Sequence, residues 1–542
     1  MTDALALFEK EHALKNNPLI RTHRLALWLM VLVLLLGSGL RIVALEQSPP
    51  GLAPDEASNG YDAYSMWHTG RDQHGILLPT AFGALNDYRM PLFIYSVVPV
   101  VGLGGLSVLN IRLVAAWWGI LTLPLVYWLG SRMFGRTVGL GAALFLALSP
   151  WQVPLNRIAH EGATTVLMAL LAVGLTWRWY QAPQKRYIIG AAVAWGLALY
   201  TYSVMEMFAL VMVAGLGFLF WRTTLAHWRQ IALAAVIVAM LALPMIYNNL
   251  RWSDAMQARY RQIAVFQPGR PLGESLTKLA RYAWLNLSPD FLFGRGDRDD
   301  LQHPPGMGQL YPIQALLVVM GVTWGLKHRS YRLSLAIIGL WILAATLPAA
   351  LTEPNLPNSG HSLRSLPAVV PWQLLSGLGL VGLLQLPRQR WLQVLTVTLI
   401  LGWVAGNAFS YFRYYFTRYP TDAANRFDVA TRRMADTVLH LDNGYAVVYF
   451  ATCRSSWIYL HLLFSSRYDP RHLQMDLPVR GDELFAPVTR VGKYHIICDA
   501  QTVWDQGEKG LYVVPEAELP GVTPLAVLPG PREKPFKIVS RP

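Results

Sequence analysis

Two adjacent carboxylates, Asp55 and Glu56, follow Pro54 soon after the first long apolar stretch of the chain ends. A carboxylate held close to a membrane surface can act as a general base and take the proton from an attacking hydroxyl. The same residues also suit the first turn of a helix, where acidic side chains cap free amides and interact favourably with the helix dipole. Both interpretations stay open, because a capping position would also hold a catalytic carboxylate rigidly.

Aromatic and basic side chains follow this pair. Tyr61 lies in a polar segment, and interfacial aromatic residues act as membrane anchors or as platforms for sugar rings. Tyr88 and Arg89 lie directly before another apolar segment. The fork of an arginine matches phosphate geometry. Snorkelling towards lipid headgroups would explain Arg89 equally well.

Two short turns between apolar segments carry further candidates. Arg157 and Glu161 occupy the first turn, where they could contact a substrate or simply pair with each other four residues apart. His361 and Arg364 occupy the second turn, where they could bind an anionic headgroup. The acidic loop at 290–303 offers oxygen ligands for a divalent cation, but its spacing matches no calcium-binding loop and its arginines compete for the carboxylates. We therefore assign no metal ligand and leave a divalent cation open.

These candidates belong to a chain that is dominated by apolar residues. Of its 542 residues, 54% are hydrophobic and 14% are charged, whereas soluble domains are nearer a quarter charged. A net charge of +14 could indicate nucleic acid, but Lys and Arg also collect on the cytoplasmic loops of membrane proteins. The sequence predicts an α-helical membrane protein with many spans and no nucleic-acid partner.

We predict about eleven transmembrane helices, because about 20 apolar residues cross a ~30 Å hydrocarbon core. They lie near residues 25–45, 112–133, 138–155, 161–180, 187–205, 206–222, 229–247, 312–328, 332–350, 365–386 and 391–411. The apolar segment 91–106 is short and contains Pro99 and several glycines, so we predict that it is interfacial or re-entrant. Counting it as a span would place most of the later basic clusters outside the cell.

With a cytoplasmic N-terminus, the basic residues follow the positive-inside rule. The transmembrane domain then covers 1–411 and has two long outer loops, at about 46–111 and 248–311. Residues 412–542 form a small extracytoplasmic α/β domain that begins with an amphipathic helix at 426–440. This arrangement is that of a multi-pass protein of the inner or plasma membrane.

Short β-rich runs at 445–450, 494–498 and 511–514 support the α/β character of the C-terminal domain. Cys453 and Cys498 both fall in it. An exported compartment permits a disulfide between them, although each could also be a small buried apolar residue.

Reporter fusions test this topology. A reporter at Pro542 should be active only outside the cytoplasm, and one fused after His328, in a predicted cytoplasmic segment, should give the opposite signal. Cytoplasmic activity at Pro542 would contradict the eleven-span arrangement and the outer position of Asp55.

The order of these motifs along the chain resembles a known superfamily from about residue 25 to residue 411. The motifs are Asp55-Glu56, Asp87-Tyr88-Arg89-Met90-Pro91-Leu92, Arg112-Leu113, Ser149-Pro150-Trp151 with Arg157 and Glu161, Tyr200-Thr201-Tyr202, and His361 to Arg364. In this order the chain resembles the lipid-sugar-dependent membrane glycosyltransferases of the GT-C superfamily, which include protein O-mannosyltransferases and aminoarabinose transferases.

The resemblance implies a GT-C fold and a polyprenyl-phosphate sugar as donor. It implies that Asp55 is the catalytic base, that Glu56 matches a second acid, and that Arg89 lies near the lipid phosphate. Glu161 falls where many members carry an aspartate. The predicted catalytic residues are thus Asp55, Glu56 and Glu161, and the predicted substrate-binding residues are Tyr61, Tyr88, Arg89, Arg157, His361 and Arg364.

The chemistry is consistent with this implication. Inversion at an anomeric carbon needs one base for the acceptor hydroxyl, and Arg89 and Arg364 could stabilise the departing phosphate. No glycine-rich nucleotide-binding fingerprint is present. The acceptor could be a protein, a lipid or a glycan, and membrane lipids surround the site.

Three alternatives remain at this stage. A polyprenyl-linked glycan ligase or polymerase would use the same kind of donor. A lipid or solute transporter usually shows internal repeats and charges at the middle of the membrane, whereas here the charges lie at the ends of the spans. A non-catalytic assembly subunit is the third.

Overall fold

The computed structural model describes residues 18–84, 87–251, 260–387, 389–452, 457–476, 488–530 and 535–541. The longer helices are α1 Pro18–Ile42, α2 Pro54–Thr69, α3 Pro91–Gly104, α4 Val108–Phe134, α5 Arg136–Ala147, α6 Thr165–Gln181, α7 Lys185–Ala198, α8 Val204–Leu219, α9 Trp228–Arg251, α10 Leu272–Leu287, α11 Pro312–Lys327, α12 Arg332–Ala350, α13 Val369–Gln385, α14 Arg390–Thr417, α15 Val429–Leu441 and α16 Ile458–Ser466. Shorter helical segments are Gln152–Leu155, Glu161–Thr164, Trp221–Ala226, Asp290–Gly294, Arg329–Tyr331, Leu366–Ala368, Tyr419–Asp422, Pro470–Asp476 and Ala500–Asp505.

Among the described residues, 7 helices are long and apolar enough to cross a membrane. They are Leu25–Ile42, Val108–Phe134, Glu161–Gln181, Trp228–Asn248, Arg329–Ala350, Leu366–Gln385 and Arg390–Thr417, and each coincides with a predicted span. The other four predicted spans coincide with the shorter helices α5, α7, α8 and α11, of 12, 14, 16 and 16 residues. The helical membrane class is therefore confirmed, and the number of spans stays a prediction.

The predicted span at 138–155 is interrupted. Helix α5 ends at Ala147, and a separate turn, Gln152–Leu155, follows. Pro150 disfavours helical backbone at the residue before it, and the Ser149 hydroxyl accepts hydrogen bonds from the Trp151 and Gln152 amides. The chain therefore turns sharply before the Arg157–Glu161 segment.

The described residues contain eight strands, namely β1 Phe82–Ala84, β2 Asp87–Arg89, β3 Val448–Phe450, β4 Arg490–Val491, β5 Tyr494–Ile496, β6 Gly510–Pro515, β7 Ala526–Pro529 and β8 Pro535–Arg541. The six strands of the C-terminal region form one sheet with the order β4-β5-β3-β6-β8-β7. Strands β1 and β2 form a separate antiparallel hairpin, whereas β3 is parallel to both β5 and β6. The three predicted β-rich runs and the amphipathic helix, α15, are all present, so the small α/β region is confirmed.

The C-terminal sheet shares its core with the first outer loop. Buried apolar side chains of α2, α3 and α4 form one cluster with those of α15, α16 and the sheet. Tyr61 donates from its hydroxyl to the Tyr468 carbonyl, and Gln474 donates to Ser65 and Thr69. The C-terminal region therefore rests directly on α2, the helix that carries Asp55. The suggested disulfide between Cys453 and Cys498 involves Cys453, which lies outside the described residues.

Candidate active site

A cavity of about 950 Å³ lies where several loops meet the helical bundle. Its walls come from both long loops, from the turn before α6, from the start of α8, from the segment after α12 and from the C-terminal region. Six of the nine predicted site residues line it, namely Asp55, Tyr88, Arg89, Glu161, His361 and Arg364. The structure thus brings together residues, such as Asp55 and Arg364, that are more than three hundred positions apart in sequence.

Asp55 lies in the first turn of α2, after Pro54 at the first helical position. Its Oδ1 is 2.6 Å from Nη2 of Arg89, which comes from strand β2. The Arg89 Nη1 donates to the Asp55 backbone carbonyl and to Oδ1 of Asn59, both at 3.1 Å. The Arg89 side chain is 5% exposed and that of Asp55 is 48% exposed. A buried guanidinium therefore holds an accessible carboxylate at the cavity wall.

The Arg89 guanidinium stays protonated and positively charged. Burial by itself would lower the pKa of this guanidinium, but the carboxylates of Asp55, Glu161, Asp62 and Asp87 outweigh burial and raise the pKa above its ordinary value. Arg89 is the cation around which these acidic side chains are arranged.

Glu56 faces the protein interior and does not line the cavity. Arg112 donates to both of its oxygens, from Nε to Oε1 and from Nη2 to Oε2, each at 2.7 Å. The amides of Ala53 and Ala159 donate to the same carboxylate at 3.0 and 2.9 Å. The capping role that the sequence suggested for the acidic pair belongs to Glu56, because it binds the amide of Ala53, the residue preceding α2. Asp55 is left to face the cavity.

Arg157 and Tyr61 also lie away from the cavity. The Tyr61 side chain is fully buried against the C-terminal region. Arg157 stacks over the rings of Tyr415 and Phe416. Its guanidinium donates to backbone carbonyls at the end of α1 and just after it, those of Leu40, Val43, Ala44 and Ser48. These contacts, and not the suggested pair with Glu161, use the Arg157 donors.

Glu161 begins the short helical turn before α6 and lines the cavity within electrostatic range of Arg89. The neighbouring His160 accepts a hydrogen bond from the Gly162 amide at Nδ1, 2.9 Å away. Burial lowers the pKa of His160 to about 4, so its imidazole is neutral at physiological pH. This part of the wall therefore presents the carboxyl group of Glu161 beside a neutral ring.

His361 and Arg364 occupy one turn, and both are largely buried. The Arg364 guanidinium donates to Thr352 Oγ1 at 3.0 Å and to the Glu353 carbonyl at 2.8 Å. It also donates to Asn355 Oδ1 at 3.3 Å. Arg364 is thereby fixed on the cavity wall.

The sequence analysis missed Arg426 and Trp457, which also line the cavity, and it considered Asp299 only as a possible cation ligand in the acidic loop at 290–303. Arg426 forms an ion pair with Asp299, which belongs to the acidic loop. Trp457 precedes α16. Arg426 and Trp457 lie in the C-terminal region, to which the motif resemblance did not extend.

The carboxylates of the acidic loop at 290–303 contact other side chains of the same chain. Asp290 pairs with Arg295 at 2.8 Å, and Asp297 accepts hydrogen bonds from Ser359 and Ser362. In the part of the chain that the structure describes, no group of three or more His, Cys, Asp or Glu side chains could hold a metal ion.

Comparisons with known proteins agree with this fold. Residues 90–252 match the family model described as dolichyl-phosphate-mannose-protein mannosyltransferase. No curated protein matches the chain.

The structure of ArnT from Cupriavidus metallidurans bound to undecaprenyl phosphate shares 15% identity over 94% of this chain and 98% of that chain, with a TM-score of 0.58. The archaeal oligosaccharyltransferase AglB from Archaeoglobus fulgidus, in complex with an inhibitory peptide and a dolichol-phosphate, shares 14% identity over 81% of this chain and 64% of that chain, with a TM-score of 0.51. The family match and the two structures agree with the resemblance drawn from the sequence, and they show that this chain is a membrane protein with the GT-C fold.

Proposed function

We propose that this protein is an inverting glycosyltransferase, which moves a sugar from a polyprenyl-phosphate donor to an acceptor hydroxyl at the outer face of the membrane. The observation that carries the proposal is the accessible Asp55 carboxylate, held by buried Arg89 on the wall of a cavity that also contains Arg364. ArnT and AglB were each solved with a polyprenyl phosphate, which supports this class of donor. A cavity of about 950 Å³ is large enough for a sugar phosphate and part of an acceptor.

In the proposed reaction, Asp55 takes the proton of the acceptor hydroxyl as the hydroxyl oxygen attacks the anomeric carbon. The bond between that carbon and the phosphate oxygen breaks, and polyprenyl phosphate leaves with the bonding electron pair. The leaving phosphate gains negative charge, which fixed cations on the cavity wall stabilise as it develops. Arg364 and Arg89 supply such charges, and Arg89 also positions the base.

The test is whether detergent-solubilised protein consumes a labelled polyprenyl-phosphate sugar. The proposal predicts release of polyprenyl phosphate and transfer of the label to a new product. Detergent micelles carry no transmembrane gradient, so a transporter or an assembly subunit would leave the donor intact, and that result would contradict the proposal. A ligase or polymerase would instead transfer a whole glycan chain, and not a single sugar, from its polyprenyl carrier to the acceptor.

Replacing Arg89 by alanine should slow donor use by about 10- to 100-fold, since hydrogen bonds to charged groups contribute about 1.5–3 kcal/mol. Asp55 would lose the side chain that orients it. Arg89→Lys keeps the charge but loses the fork, so it should recover only part of the activity. Arg71→Ala, in the same loop but exposed, is the matched control. A wild-type rate in Arg89→Ala would exclude the positioning role.

A further inference from the structure

Arg426 lines the cavity from a part of the chain that the family model does not match. Its amide donates to the Ala423 carbonyl at 2.9 Å, and the next residue, Phe427, is fully buried. The Phe427 carbonyl accepts a hydrogen bond from the amide of Leu52 at 2.9 Å. Leu52 lies three residues before Asp55, so the backbone at Arg426 is anchored to the segment that leads into α2.

The three arginines on the cavity wall differ in how their donors are used. Arg89 and Arg364 are buried, and both Nη atoms of each donate to protein oxygens. The Arg426 side chain is 49% exposed and donates from Nη2 to Asp299 Oδ1. Within the described ranges, its Nε and Nη1 make no hydrogen bond. Arg426 therefore presents accessible, unused donors to the cavity.

Asp299 holds Arg426 in this position. The Asp299 side chain is 4% exposed, and its second oxygen accepts a hydrogen bond from Asn355 Nδ2 at 3.3 Å. Asn355 in turn accepts a hydrogen bond from Arg364. A continuous chain of contacts thus links the two guanidinium groups across the wall. Asp300 also lies within electrostatic range of Arg426, but the hydrogen bond of Arg426 to a carboxylate goes to Asp299.

A second pocket of about 420 Å³ adjoins the cavity at this point. It shares Ile263, Asn355 and Arg426 with the cavity and extends along residues 353–356. Arg426 consequently stands at the junction between the space beside Asp55 and this side pocket.

We propose that Arg426 binds an oxyanion of a substrate, a phosphate or a carboxylate, through Nε and Nη1 while Asp299 holds Nη2. Two parallel N–H donors of a guanidinium match two oxygens of such a group. The inference rests on the proposed function, because it assumes that the cavity binds the reacting molecules. The oxyanion could be the donor phosphate in the main cavity or an acidic group of the acceptor in the side pocket.

Binding measurements on the purified full-length protein separate these two sources. The probes are undecaprenyl phosphate, uncharged undecaprenol, and inorganic phosphate added in the presence of saturating undecaprenyl phosphate. If Arg426 binds the donor phosphate, Arg426→Gln should weaken undecaprenyl phosphate binding by about 10- to 100-fold and leave undecaprenol binding unchanged. If it binds an acceptor group, undecaprenyl phosphate binding should be unchanged and the binding of inorganic phosphate should be lost. Arg433→Gln, an exposed position on α15, is the matched control.

A purely structural role for Arg426 makes a different prediction. If Arg426 only neutralises buried Asp299, the double variant Asp299→Asn/Arg426→Gln should regain wild-type binding of both anions. The proposal predicts that binding stays weak in the double variant. Recovery in the double variant, or binding of both anions by Arg426→Gln within about twofold of wild type, would overturn it. The wild-type protein could also bind inorganic phosphate in a way that depends on Arg426 and yet not bind undecaprenyl phosphate. That result would contradict the proposed donor but would still support Arg426 as an oxyanion-binding residue.

Discussion

Replacing Asp55 by asparagine is expected to slow sugar transfer by about 100- to 10,000-fold, the usual cost of removing a general base. Asparagine keeps the size of the side chain and an oxygen that can accept the hydrogen bond from Arg89 Nη2. Helix α2 should also remain capped, because Glu56 and not Asp55 binds the amide of Ala53. The loss should therefore appear in the rate and not in folding or donor binding.

Three measurements on one preparation establish this pattern. They are the thermal unfolding midpoint in detergent, the binding of undecaprenyl phosphate, and the rate of donor consumption. Asp436→Asn, at a partly exposed position on α15, controls for the loss of a carboxylate elsewhere. Near wild-type transfer by Asp55→Asn would contradict the assignment and move the role of base to Glu161, the other predicted carboxylate on the cavity wall.

Replacing Glu56 by glutamine is expected to destabilise the protein by about 3–5 kcal/mol, the typical cost of breaking a buried ion pair. Burial would raise the pKa of Glu56, but Arg112 and the amides of Ala159 and Ala53 lower it below its ordinary value. The carboxylate is thus ionised and paired with a fully buried arginine. Glutamine would leave the Arg112 charge without compensation. Its NH2 group would also face two of the four donors, because each oxygen of Glu56 accepts two hydrogen bonds.

The unfolding midpoint in detergent is the measurement, and Arg112→Gln combined with Glu56→Gln is the internal control. Removing both charges should restore part of the stability that the single change loses. If Glu56→Gln unfolds at the wild-type temperature but loses activity as completely as Asp55→Asn, then Glu56 takes part in the chemistry as the sequence resemblance implied.

The helices could be predicted from the sequence because apolar runs are a local property of the chain. Each predicted span coincides with a helix. The helix in the predicted span 138–155 ends early, at Ala147, because Ser149 and Pro150 interrupt it. The importance of Asp55 and Arg89 could also be predicted, since both lie in short motifs close to apolar segments. Their contact joins residues that are 34 positions apart, and no spacing rule indicates it.

The sequence could not predict that Asp55 lines the cavity whereas Glu56 is buried. Successive helical residues point about 100° apart, which shows that the two differ but not which one is buried. The partner of Glu56, Arg112, is 56 positions away. Arg157 carried the same local signals as Arg89, yet it binds backbone carbonyls. Arg426 meets Asp299 across 127 positions, so only the folded chain shows that the C-terminal region completes the cavity.

The anomeric configuration of the transferred sugar tests the central claim most directly. NMR spectra of the donor and of the isolated product give the configuration at the reacting carbon before and after transfer. A single displacement assisted by Asp55 as base predicts that the configuration is inverted. Retention would contradict the account, because it requires a covalent sugar intermediate on a nucleophile and would make the cavity carboxylate a nucleophile in place of a base.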